Sequence, residues 1–152
     1  MRRKDREKDS SFAMEVISTC EYAVLATVNA DGTPYCVPVS PVTLNGFIYF
    51  HGAPEGRKFD NIANNPAVCI TCVRNVKSVP EKFTTAYESA VVCGSCSVVI
   101  DEDEKIKALR AICEKYANSN MDEFDNAVKN MLHRTGIFKI TIGQITGKAN
   151  TG

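Results

Sequence analysis

A chain of 152 residues, 44% hydrophobic and 24% charged, has the size and apolar content of one globular domain that buries its own core. Eighteen basic and eighteen acidic residues cancel, so no net field gathers nucleic acid. No stretch approaches the roughly 20 apolar residues of a membrane span, and the expectation is a cytoplasmic protein with neither nucleic-acid nor membrane partners.

Residues 1–10 form a charged arm that lacks the apolar core of a signal peptide. Beyond Ser11, the residues Phe12, Val16, Ile17 and Cys20 fall on one helical face. Residues 22–28 predict a strand, 29–33 a turn, 34–44 a second strand and 47–50 a third. Asn45-Gly46 is a strong hairpin signal between the last two, and the three strands are expected to form an antiparallel meander. Pro38 and Pro41 do not suit a fully paired central strand; they mark a bulge, an edge, or backbone that faces a ligand. Residues 51–56 read as a loop, and 57–64 as a short helix ended by Asn65-Pro66. A fourth strand is predicted over 67–73, a loop over 74–86 and a fifth strand over 90–100. Two helices follow, with capping patterns at Asp101/Glu104 and Asn120/Glu123. The last strand runs from 137 to 146. The sum is a mainly β (α+β) architecture in one domain over residues 1–152, with five or six antiparallel strands, barrel-like, and helices to one side.

Chemistry concentrates in His51-Gly-Ala-Pro-Glu-Gly-Arg-Lys-Phe-Asp60. A helix start offers free backbone N–H groups, and Arg57 and Lys58 add two cations, a combination matched to a phosphate. The same residues also read as two solvated surface cations. His51 closes an otherwise apolar strand, either as a hydrogen-bonded rim residue or beside a bound ring or substrate as a proton donor. His133 reads as an ordinary helix-end residue.

Seven cysteines include two CxxC pairs, Cys69/Cys72 and Cys93/Cys96, near zinc-ribbon spacing. Both pairs lie in β-forming runs, where positions i and i+3 point to opposite faces and cannot chelate one ion. They are therefore expected to be core thiols, with no metal site. Nucleotide-binding glycine loops and a nucleophile elbow are absent from the sequence.

The opening Met1-Arg-Arg-Lys-Asp-Arg-Glu7 resembles the start of proteins in the flavin-binding pyridoxamine 5′-phosphate oxidase-like superfamily, on the Nim-type branch linked to nitroimidazole resistance. So do Leu25-Ala-Thr27, Asp31-Gly-x-Pro-Tyr35, Val37-Pro-Val39, Ile48-Tyr-Phe-His51 and Gly56-Arg-Lys-x-x-Asn61. Asn65-Pro66, Tyr87-x-Ser89-x-Val91 and Ile145-Thr-Gly-Lys148 complete an ordered set covering almost the whole chain. The resemblance implies a split β-barrel of about six antiparallel strands with flanking helices, a homodimer, and two flavin mononucleotide (FMN) sites at the subunit interface. It implies Val37, Pro38, Val39 and Ser40 along the isoalloxazine ring, His51 and Gly52 beside it, and Lys58 with Arg57 at the phosphate. Tyr87 and Ser89 would complete the pocket. Relatives often carry a tryptophan before Tyr87; this chain has none, and Phe83 is the nearest aromatic. The activity implied is an FMN-dependent oxidoreductase passing electrons to a small acceptor such as a nitroaromatic, with His51 catalytic. The alternative is a flavin- or haem-binding protein of the same fold without turnover.

Overall fold

The computed structural model describes residues 2–152; Met1, the first residue of the charged arm, lies outside them. Among the described residues there are eight strands. They are β1 (Glu7–Lys8), β2 (Ala23–Val28), β3 (Pro34–Val39), β4 (Val42–Leu44), β5 (Phe47–Gly52), β6 (Ala67–Val79), β7 (Thr84–Val98) and β8 (Gly136–Asn150). The α-helices are α1 (Ser10–Thr19), α2 (Arg57–Asn64), α3 (Glu102–Tyr116) and α4 (Phe124–Met131). None is long and apolar enough to cross a membrane.

Every strand pairing is antiparallel, in the order β3-β2-β6-β7-β8-β5-β4, with β1 beside β8. β3 and β4 stand at opposite ends of this path, yet only Ser40 and Pro41 separate them in sequence. The step from Val39 to Val42 spans at most about 11 Å. The sheet must therefore roll until its two ends nearly meet, which makes it a split β-barrel.

Its interior is one apolar cluster drawn from β2, β3, β5, β6, β7 and β8, with Phe50 and Phe138 stacked at 4.9 Å as direct cross-strand partners. Helix α1 adds Ala13, Val16 and Ile17 to that cluster and α2 adds Ile62. The Ile145-Thr-Gly-Lys148 motif has a packing role here. A Cβ on Gly147 would stand 3.1 Å from the Phe12 ring and 3.2 Å from Ala13 Cβ, so the glycine lets α1 lie close on β8. Helix α3 covers the opposite face of β4, β5 and β8 through Ala108 and Ile112, against Val42, Tyr49 and Ile137. At its start Glu104 accepts hydrogen bonds from Tyr49 Oη and Lys139 Nζ, both at 2.7 Å.

Several predicted elements appear as expected. Asp101 caps α3 by accepting from Glu104 N at 2.8 Å, and Asn45-Gly46 turns with φ of 51° and 81° at the two residues. Others differ. The predicted meander is two hairpins, β2–β3 and β4–β5, because the second strand breaks at Ser40-Pro41 and its halves part to the two sheet ends. Pro38 therefore sits on an edge strand and Pro41 in the break.

The predicted loop over 74–86 is instead the far end of a long β6–β7 hairpin, closed by a 3₁₀ turn at Pro80–Lys82. This end projects past the core, so most of its side chains are exposed and polar, and the apolar alternation that marks a strand disappears. Phe83, the residue nearest the missing tryptophan, is 99% exposed at its tip. The Asn120/Glu123 cap does not form. Residues Asn118–Glu123 make a 3₁₀ stretch, and α4 begins only at Phe124 without a side-chain cap.

Candidate functional site

The turn after β5 delivers the chain into α2. Gly56, at φ 92°, precedes the helix, and no side chain caps its start. The first N–H groups of α2 are thus left for an outside acceptor, flanked by Arg57 and Lys58. Arg57 is exposed, with its guanidinium 5.1 Å from the centre of the Tyr35 ring of β3. Lys58 is half-buried, and its ammonium lies 5.4 Å from the Phe138 ring and 5.8 Å from that of Phe50. Burial pushes its pKa down, and the Cys96 thiol works weakly the other way. Among the described residues no carboxylate pairs with it.

Gly52 belongs to this arrangement, since a Cβ there would meet Lys58 Nζ at 2.5 Å. Helix α2 is anchored by Asn61, 5% exposed, whose Nδ2 donates to Thr27 Oγ1 and Asn29 Oδ1, both at 3.0 Å. These bonds tie the cationic helix start to the β2–β3 hairpin. Val37 and Val39 pack on the barrel core, while Pro38 is exposed. As an end strand, β3 leaves one backbone edge without a strand partner.

His51 lies elsewhere. Strand alternation turns Phe50 and Gly52 to the Lys58 side and His51 to the other, where it lines a pocket of about 190 Å3 with Leu109, Cys113, Phe124 and Val128. The lining is almost wholly apolar apart from the imidazole. His51 as a whole stays exposed, but partial burial of its imidazole at this pocket, then the nearby Lys58 charge, lowers its pKa.

Tyr87 and Ser89 are farther off still. Ser89 and the Lys58-facing Cys96 are seven residues apart on β7, about 23 Å at the strand rise. Lys148 Nζ sits 5.5 Å from the Tyr87 ring, and Ser89 Oγ donates to Lys148 O at 3.4 Å. One chain therefore gathers Gly52, Arg57 and Lys58, sets His51 on the opposite face of the same strand, and leaves Tyr87 and Ser89 at the far end of β7.

Three contributors lack a sequence signal of their own. Phe50 and Phe138, which flank the ammonium, look like ordinary core residues. The anchoring by Asn61 was present only as one letter of a motif. Alternation splits each CxxC pair: Cys72 and Cys96 are the expected core thiols, whereas Cys69 and Cys93, also expected in the core, face outward because positions i and i+3 of a strand lie on opposite faces.

A split antiparallel barrel with flanking helices, and a cationic helix start beside an edge strand, defines the class of fold. The chain belongs to the pyridoxamine 5′-phosphate oxidase family, whose model matches residues 9–149. It is similar to the structure of a candidate 5-nitroimidazole antibiotic resistance protein from Bacteroides thetaiotaomicron. That pair shares 28% identity, with a TM-score of 0.77 over 93% of this chain and 84% of the other, in keeping with the Nim-type branch. The FAD and haem binding protein of Mycobacterium smegmatis is 18% identical, with a TM-score of 0.81 over 97% of this chain and 74% of that one. A FAD-binding protein of Mesorhizobium loti is also 18% identical, with a TM-score of 0.68 over 96% and 98%. No curated protein sequence matches the chain.

Proposed function

We propose that this protein binds FMN and, as a cytoplasmic homodimer, reduces a small acceptor such as a nitroaromatic of the 5-nitroimidazole kind. The observation that carries the reading is the Lys58 ammonium, half-buried and without a carboxylate partner beside an uncapped helix start. Two adjacent cations and one helix start suit a single terminal phosphate, the group that distinguishes FMN. Structures similar to this chain include flavin-binding proteins, which agrees with a flavin here.

The bound flavin supplies the electrons for reduction. Lys58 and Arg57 would hold the phosphate, and the edge of β3 from Val37 and Pro38 through Val39 and Ser40, with Gly52, would hold the ring. His51, on the opposite face of β5 from Lys58 and with its pKa lowered, would meet the acceptor molecule from its own pocket, where a neutral imidazole offers one N–H donor and one acceptor for orientation and proton relay. Its apolar pocket of about 190 Å3 has room for a small ring. The same volume falls below the roughly 300–1,000 Å3 of ordinary cofactor pockets, which disfavours haem at His51.

The divided site supports the dimer: if Tyr87 and Ser89 serve the same flavin, they come from a second copy. A surface for that copy is available. Two registered rows across the outer sheet face carry no charge: Cys36, Ala26, Cys69, Cys93, Gln144 and Pro38, Val24, Thr71, Val91, Thr146.

The test is an absorbance spectrum after adding excess FMN and desalting. Retention of about one flavin per chain is expected for the unaltered protein, and a large loss of affinity for Lys58→Ala. A folded protein that retains no flavin would overturn the reading; equal affinity in Lys58→Ala would remove the proposed phosphate site.

A further inference from the structure

The sequence pairs its cysteines by CxxC spacing, but the fold pairs them differently. Cys20, at the end of α1, and Cys72, on the core face of β6, are 1% and 5% exposed and belong to the same interior cluster. Arg74, two residues along the same face of β6, donates to Thr19 Oγ1 at 2.5 Å, which sets Cys72 beside the end of α1. When protonated, Cys20 donates to Ile17 O at 3.2 Å. Lys115 of α3 donates to that same carbonyl at 3.3 Å and to Pro41 O at 2.8 Å, so its ammonium stands beside the pair. Tyr116 Oη also donates to Pro41 O, at 2.9 Å.

The two thiols are not equivalent. The neighbouring Cys72 thiol lowers the Cys20 pKa and Cys20 raises that of Cys72, and the Lys115 charge further favours a thiolate at Cys20. A second contacting pair, Cys69 and Cys93, lies across β6 and β7 on the outer face. Burial raises the Cys69 pKa, and no cation faces it.

We propose that Cys20 and Cys72 form a dithiol site that hydrogen peroxide oxidises to an internal disulfide, joining the end of α1 to β6. The Cys20 thiolate attacks one peroxide oxygen and breaks the O–O bond, which gives the sulfenic acid and, with a proton taken up, water. Cys72 sulfur then attacks the Cys20 sulfur, the S–O bond breaks, and a second water leaves. The two thiols lose two electrons and the peroxide gains them. The site does not rest on the flavin reading.

The experiment is peroxide titration of the full-length protein in the Cys36→Ser, Cys69→Ser, Cys93→Ser background, followed by intact mass and peptide mapping. A loss of about 2 Da is expected, with the peptides of Cys20 and Cys72 linked. Cys72→Ser in that background is expected to stop at one added oxygen on Cys20, trapped by a sulfenic-acid reagent. Lys115→Met is expected to slow the oxidation, and the oxidised protein to melt at a higher temperature than the reduced one. Persistent free thiols at both positions would overturn the proposal, as would oxidation confined to Cys96 and Cys113. Should the triple variant misfold, the same map on the unaltered chain decides, because a Cys20–Cys72 link differs in mass from a Cys69–Cys93 link.

Discussion

Lys58 and His51 are separated by one turn of chain, and their surroundings make them act differently. Lys58 lies against two phenylalanine rings with no carboxylate beside it among the described residues, so burial lowers its pKa and a bound anion would favour its charged form. His51 is held toward its neutral form by burial and by that same charge. The sign of its effect on stability follows. Its folded pKa lies below its ordinary 6.5, so its contribution is complete above about 6.5 and is lost as pH falls through the folded value. His51→Gln is expected to flatten this part of the pH dependence: the difference between the urea midpoints at pH 5 and pH 8 should be smaller in the variant. Parallel midpoints in the two proteins would show that His51 titrates as a solvated residue.

Helix α2 acts as a carrier for two cations, and it is precise because Asn61 fastens it to the β2–β3 hairpin. Asn61→Ala deletes both donated bonds and leaves the buried Thr27 hydroxyl with one fewer partner. A cost of about 1–3 kcal/mol in global stability is expected, with weaker flavin retention beyond what the stability loss explains. Denaturant melts of the flavin-free protein, set beside flavin titrations, separate the two effects. Much at this scale could be read in the sequence. The Asn45-Gly46 turn, the Asp101 cap and the helix opening at Arg57 each depend on neighbours within a few residues, and each was legible. The far end of the β6–β7 hairpin was not, because its strands pair beyond the core, where Arg74, Asn75, Lys77 and Ser78 look like loop. The Lys58 environment was half legible. Its charge and its place at a helix start are local, whereas Phe138 reaches it from a strand 80 residues later in the chain.

For the whole molecule, the separation of Ser89 from Lys58 along β7 makes the assembly testable without a cofactor. Sedimentation equilibrium is expected to give twice the mass of the 16.7 kDa chain. Replacing Val91, 38% exposed in the uncharged rows, by aspartate is expected to shift the population toward monomer and to lower flavin retention at the same time. A monomeric unaltered protein that retains flavin would mean that one chain builds the whole site.

Strand β8 has a further consequence. It pairs with β1, β5 and β7, whose residues begin at positions 7, 47 and 84, so among the described residues it is the strand that joins the start and the middle of the chain to its end. A ribosome delivers residues 136–150 after all of these. The early hairpins β2–β3 and β4–β5 can form as they emerge, but they belong to opposite ends of the sheet and share no ladder until β8 arrives. Folding of this barrel is therefore dominated by contacts distant in sequence, which places it among the slower small domains, in the millisecond-to-second range. Until that final strand docks, the nascent chain carries unpaired β-edges.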